Sequence, residues 1–147
     1  MKIALVSSVG GHLTELLAVS EQLTARGHTA FWVVNDESPV LPAGVDAYRI
    51  LHGERDLRVA WNVLELAAIF ARERPELVLS AGASPAVSAA LVARLAGIPV
   101  VYVEPSSSVT RLTVTGRLMR CFADRFFVQW EGLLQQAPWA RYAGGLL

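Results

Sequence analysis

Short apolar runs alternate with helical stretches along most of the chain. Lys2 to Ser7 (KIALVS) predicts a buried strand. Gly10, Gly11 and His12 follow it, then a helix from about Leu13 to Ala25, stopped by Gly27. Ala30 to Val34 (AFWVV) reads as a second strand. Asn35 to Asp56 carries Pro39, Pro42, Gly44 and Gly53, and reads as an irregular connection with a short strand at Ala47 to Leu51. Then come a helix at Leu57 to Arg72, a strand at Glu76 to Ser80 and a helix at Ser84 to Leu95 closed by Gly97. A strand at Pro99 to Val103, a helix at Val109 to Phe122, a strand at Arg125 to Gln129 and a short strand at Ala140 to Ala143 complete the order. Strands this continuously apolar, separated by helices, predict an α/β fold: a Rossmann-like, mostly parallel sheet with helices on both faces. No repeat, low-complexity stretch or boundary interrupts residues 1–147, a length that suits one domain.

One helix departs from the usual amphipathic pattern. In Leu57 to Arg72 the polar positions Arg58, Asn62, Glu65 and Arg72 form one narrow stripe. Leu57, Trp61, Leu64 and Ala68 cover one side, and Val59, Val63, Leu66 and Phe70 another. Such a helix is either wedged between the sheet and neighbouring loops or offers apolar surface to a membrane beside Arg55 and Arg58. Composition points the same way, since 53% of residues are hydrophobic and only 18% charged, richer in apolar residues than an ordinary soluble domain. Apolar surface beyond the chain's own core is expected, for a partner, a membrane or both.

Charge and cysteine content exclude several classes. A formal net charge of zero argues against nucleic acid held by bulk charge. Cys121 is the only cysteine, so no disulfide or cysteine metal site forms within the chain, and a reducing compartment is permitted. A first strand starting at Lys2 leaves no room for a signal peptide. No apolar run reaches about 18 residues, so no membrane-spanning helix is predicted.

In parallel sheets of this kind, ligands sit beyond the carboxyl ends of the strands. Three loops of unusual composition are expected at that edge: Ser7-Ser8-Val9-Gly10-Gly11-His12, Ser80-Ala81-Gly82-Ala83-Ser84-Pro85 and Glu104-Pro105-Ser106-Ser107-Ser108. Each precedes a predicted helix, whose free N–H groups and positive dipole end suit phosphate. Singly, each also reads as a serine-capped turn; together they favour a shared site. A dinucleotide fingerprint is absent, because Gly10 and Gly11 are adjacent and only Asp36 fits a ribose-binding acid. No G-K-[ST] exists for a P-loop. Gly82-Ala83-Ser84-Pro85-Ala86 loosely mimics a hydrolase elbow, but His12, His28 and His52 all precede Ser84, against the order that fold needs. The histidines have no metal spacing.

The second half of the chain is more specific. Val101-Tyr102-Val103-Glu104 precedes Val109-Thr110-Arg111-Leu112-Thr113-Val114-Thr115-Gly116-Arg117-Leu118, then Ala123-Asp124-Arg125-Phe126-Phe127-Val128-Gln129-Trp130 and a closing Tyr142-Ala143-Gly144. With Gly10-Gly11-His12 in front, this resembles the acceptor-side subunit of the split UDP-N-acetylglucosamine transferase of the dolichol pathway. It resembles still more that subunit's bacterial counterparts in capsule and exopolysaccharide synthesis. The resemblance covers essentially the whole chain and implies the N-terminal half of a GT-B glycosyltransferase cut into two chains. This half would hold a saccharide linked to a polyprenyl diphosphate, while a separate donor-binding subunit holds most of the UDP-sugar. Transfer would proceed with inversion, without an essential metal or other cofactor, on the cytoplasmic side with peripheral contact at the inner face of the membrane. Two departures stand out: the N-terminal membrane helix of eukaryotic members has no counterpart here, and Pro105 stands where they usually carry serine.

Within that frame His12 and Glu104 are rival candidates for the base that takes the proton of the attacking sugar hydroxyl. Glu104 at a strand end also suits the capping of local N–H groups. Gly10, Gly11, Ser84, Ser106, Ser107, Ser108 and Arg111, the last expected one turn into the fourth helix, are candidates for the acceptor diphosphate. Arg117 and Arg120 share a face further along. Leu146 and Leu147, after the flexible Gly144-Gly145, are expected to dock on the partner or fold back on the sheet. Two other classes stay open: a non-catalytic scaffold that recruits a catalytic partner to the membrane, and a free-standing nucleotide-binding module.

Overall fold

The structure, a computed structural model, describes residues 1–8, 10–35, 41, 44–50, 58–82 and 84–146. Among them, seven strands form one parallel sheet: β1 (Lys2–Ser7), β2 (Thr29–Asn35), β3 (Ala47–Ile50), β4 (Leu77–Ser80), β5 (Val100–Val103), β6 (Arg125–Val128) and β7 (Arg141–Tyr142). Their order is β3-β2-β1-β4-β5-β6-β7. The helices are α1 (Gly11–Ala25), α2 (Arg58–Glu73), α3 (Ser84–Leu95) and α4 (Val114–Met119), with a 3₁₀ turn at Glu131–Gln135. The Rossmann-like expectation holds, with helices on both faces.

Alternation along the strands builds two cores. Ile3, Leu5, Trp32, Val34, Leu79 and Val103 pack with Leu13 and Leu16 of α1 on one face. Ala4, Val6, Phe31, Val33, Val78 and Tyr102 face the other side, against Leu66 and Phe70 of α2, a row of alanines on α3 and Met119 of α4. The small residues Ala86, Ala89, Ala90 and Ala93 let α3 lie close to the sheet. Lys2 Nζ donates to Glu73 at 2.5 Å and the Tyr48 hydroxyl donates to the same carboxylate, tying the end of α2 to β1 and β3.

Two expectations are corrected. The predicted helix Val109 to Phe122 is reduced to Val114–Met119. Thr113, extended at φ −61° and ψ 164°, ends the preceding loop and caps the helix, its Oγ1 accepting the Gly116 N–H at 2.9 Å. The serine loop therefore does not open a helix, and Arg111 lies in the loop rather than one turn into α4.

The second correction concerns α2, which is not wedged. Leu66 and Phe70 face the core, whereas Trp61 and Leu64 are 55% and 63% exposed. Of the polar stripe, Asn62 turns inward and is buried. Leu57 and Arg55 lie outside the described residues. This orientation sets a contrast between two leucines two positions apart. Leu66→Ala is expected to cost about 2–5 kcal/mol of stability, the range for a buried leucine, while Leu64→Ala stays within about 0.5 kcal/mol. Chemical denaturation of the two variants measures the difference; equal losses would restore the wedged helix.

Candidate functional site

Strand order reverses between β1 and β4, and a parallel sheet opens its ligand crevice at such a point. The two strand ends are joined by a buried serine, Ser80 Oγ donating to the Val6 carbonyl at 2.7 Å. Beyond β1 the chain turns through Gly10 (φ +85°), which sits at the start of α1 with no side-chain cap. Gly10 and Gly11 are exposed, so the backbone at this helix end can be approached closely.

His12 lies in the first turn of α1, and its ring lies over the loop after β4. A Cβ on Gly82 would stand 3.1 Å from both Cε1 and Nδ1 of His12 and 3.6 Å from Cγ of Pro105. Gly82 also has φ +100°, a backbone state that side chains resist. The imidazole, the turn after β4 and the loop after β5 therefore meet in one place. Nδ1 is buried without a partner.

The loop from Glu104 to Thr113 is held by two buried carboxyl groups. Glu104, fully buried, accepts the Thr113 N–H at 2.5 Å through Oε1. Its Oε2 has no partner and abuts α4, so closely that a Cβ on Gly116 would collide with it. The neighbouring Tyr102 hydroxyl is pushed above the usual tyrosine range by burial, and further by the Glu104 carboxylate. From the opposite face, Glu15 of α1 reaches the same loop. Its Oε1 accepts both the backbone N–H of Ser106 at 2.9 Å and the Ser106 hydroxyl at 2.5 Å. Trp130 Nε1 donates to the Ser106 carbonyl at 2.7 Å. Glu15 and Trp130 are therefore further candidate site residues that the amino-acid pattern alone does not single out, and Gly82, named above only within an edge loop, lies under the His12 ring. The available signal for Glu15 is its place one turn after His12, on the inward line that continues to Val19.

The other candidates are spread along this edge. Ser107 and Arg111 are exposed and Ser108 is buried, its N–H donating to the Pro105 carbonyl. Ser107 to Val114, with Arg117, line an open depression of about 510 Å³. Ser84 begins α3. Arg120 stacks its guanidinium 5.2 Å from the Trp139 ring. Leu146 packs beside the α1-side core and donates its N–H to Gln129 Oε1 at 2.9 Å, while Leu147 lies outside the described residues. Among the described residues no cluster of three or more histidine, cysteine or acidic side chains is arranged to hold a metal, and no helix is long and apolar enough to cross a membrane.

Comparison with known proteins adds an independent finding. The family described as "Oligosaccharide biosynthesis protein Alg14 like" matches residues 57–146. The human UDP-N-acetylglucosamine transferase subunit ALG14 is 23% identical over the whole chain, which covers 83% of that protein. The UDP-N-acetylglucosamine--N-acetylmuramyl-(pentapeptide) pyrophosphoryl-undecaprenol N-acetylglucosamine transferase of Thermus thermophilus is 32% identical over 91% of the chain. The chain spans only 42% of that bacterial relative. The crystal structure of Acinetobacter baumannii MurG superimposes on 90% of the chain with a TM-score of 0.78, at 19% identity and over 43% of its own length. The fold is thus that of the N-terminal half of a GT-B glycosyltransferase.

The packing of His12 on Gly82 has a direct test. Gly82→Ala combines an unfavourable backbone state, about 1–2 kcal/mol, with displacement of the ring. Gly27, at φ +81° and with open space where a Cβ would stand, is the control for the backbone cost alone. Both alanine variants should lose stability, but only Gly82→Ala should shift the His12 ring resonances in NMR spectra. Unshifted resonances would remove Gly82 as the floor of the site.

Proposed function

The chain belongs to the Alg14-like family of oligosaccharide biosynthesis proteins, and from that membership we propose that it is the acceptor-side subunit of a two-chain inverting glycosyltransferase. The observation that carries this reading is the convergence of His12, Gly82 and the β5–α4 loop at the strand reversal, in a domain equivalent to half of a one-chain relative. A partner chain binds most of the UDP-sugar. This chain holds a saccharide on a polyprenyl diphosphate and presents its hydroxyl across the crevice.

His12 is assigned as the base. The acceptor oxygen bonds to the anomeric carbon from the face opposite UDP, the bond from that carbon to the phosphate oxygen breaks, and the hydroxyl proton passes to the imidazole. Glu104 is the less suited of the two rivals, because one oxygen holds Thr113 and the other is buried against Gly116. It is assigned to holding the loop. Arg111, exposed beside Ser107, together with Gly10, Gly11 and the start of α3 at Ser84, is assigned to the diphosphate. Leu146, packed beside the α1-side core and bonded to Gln129, folds back on this domain and is not assigned to the partner. Trp61 and Leu64 on α2, with Leu91 and Leu95 exposed on adjacent α3, are assigned to peripheral contact with the membrane.

A transfer assay with this chain and its partner, separately and mixed, tests the reading. Activity is expected only in the mixture, and His12→Ala should lower turnover by about 10²–10⁴-fold while the two chains still co-purify. Near wild-type turnover in that variant would favour a scaffold without chemistry. The membrane assignment predicts that the chain floats with anionic liposomes and that Trp61→Ser with Leu64→Ser abolishes flotation; wild-type protein left at the bottom of the gradient would remove it.

A further inference from the structure

We propose that Ser106 and Trp130 form a subsite for a sugar ring, and that Glu15 is the residue that positions it. The proposal rests on the acceptor-side reading and changes the assignment of one residue within it, since by composition alone Ser106 belongs with the candidates for the diphosphate.

Ser106 has three polar groups able to hold its place, and all three are engaged. Its N–H and hydroxyl both donate to Oε1 of Glu15, at 2.9 and 2.5 Å. Its carbonyl accepts the Trp130 indole N–H at 2.7 Å. Because a backbone N–H can only donate, Glu15 Oε1 is fixed as an acceptor, and the hydroxyl proton is directed to it as well. A phosphate oxygen needs donors, and Ser106 has none to offer. What remains is the lone-pair side of Oγ on a residue that is partly exposed. That side accepts a hydrogen bond from an O–H group, which is what a sugar hydroxyl supplies.

Trp130 supplies the second half of the same chemistry. Its N–H edge is tied to Ser106, while 45% of the residue stays exposed at the carboxyl end of β6. Beneath it, Gln129 is buried and donates Nε2 to the Glu104 carbonyl at 3.1 Å, so the strand end is held from below. An exposed indole with its polar edge already satisfied offers a rigid apolar face, the surface on which the C–H face of a pyranose rests. A fixed acceptor beside a fixed aromatic face fits a pyranose ring and does not fit a diphosphate. Glu15 is buried and does not itself meet the sugar. Its role is to set the direction of the Ser106 hydroxyl and the height of the loop.

The test is an NMR titration of the ¹⁵N-labelled chain with methyl glycosides of glucose, galactose and N-acetylglucosamine, and separately with inorganic pyrophosphate. At least one glycoside should move the Ser106 amide and the Trp130 indole signals, while pyrophosphate moves Ser107 and Arg111 and leaves Ser106 in place. Ser106→Ala should weaken the glycoside response roughly tenfold, the loss of one hydrogen bond, with the pyrophosphate response unchanged. Glu15→Gln, whose amide oxygen still accepts both donors, should keep the wild-type pattern. Glu15→Ala frees those donors, so Ser106 should begin to respond to pyrophosphate; if that variant does not fold, the Ser106→Ala and wild-type titrations decide alone. A glycoside panel that leaves Trp130 and Ser106 unmoved overturns the proposal, as does pyrophosphate shifting Ser106 in the wild type. The chain is titrated without its partner, so a mixed pair that transfers no sugar defeats the acceptor-side reading and leaves this binding pattern standing. An active pair whose acceptor KM ignores Ser106→Ala defeats the subsite alone.

Discussion

Every strand of this sheet runs the same way, so all the carboxyl ends lie along one edge, and the chain must leave β1 in both directions to build the two halves. That reversal is the constraint on which the remaining structure depends. It separates the loops after β1 and β4 so that helices α1 and α3 start on opposite faces of the sheet. The space between them cannot be filled by a regular element. It is closed by side chains that reach across, with Ser80 joining the strands and the His12 ring lying on Gly82.

The loop after β5 then has to be brought to this space without a long helix to hold it. Two carboxyl groups do this from opposite faces, Glu104 toward α4 and Glu15 from α1. Each satisfies one oxygen within the chain and leaves the other buried without a partner. Buried polar atoms without partners are few in folded proteins, because each one costs free energy. Among the described residues they fall on Glu15, Glu104, His12 and Tyr102, with Asn62 and Glu65 of α2 as the others. Four of the six residues thus surround the same loops. This is the pattern expected where structure is arranged for a ligand rather than for its own stability.

Much of the fold was legible because buried parallel strands leave a strong mark. KIALVS, AFWVV and PVVYV admit few readings once glycines and helical stretches separate them, and the ends of α1 and α3 follow from Gly27 and Gly97. The extent of the fourth helix was not legible, because its limits are set by tertiary contacts. Val109 to Leu112 has acceptable helical periodicity, but Glu104 draws the Thr113 N–H and Thr113 then caps α4. The edge loops and His12 were visible as composition. Glu15 was not, since an acid inside an amphipathic helix reads as solvated unless its partner, here 91 positions away, is known. Trp130 was visible as a residue but not as a surface, because exposure is a property of packing.

Part of the high apolar content shows on the outer face of α2. A helix that lies on a sheet ordinarily buries its apolar stripe and shows its polar one. Here Asn62 is buried and Glu65 partly so, while Trp61 and Leu64 face outward. Turning the helix by half a revolution would bury the tryptophan and hydrate the asparagine, and both changes favour folding of an isolated domain. Retaining the opposite orientation requires that the inward side already be committed, as it is by Leu66 and Phe70 against the sheet and α3. The outward position of Trp61 and Leu64 therefore follows from how the inward side of α2 is packed. Trp61 and Leu64, three positions apart on one helix, leave apolar surface of the kind that often marks an interaction site.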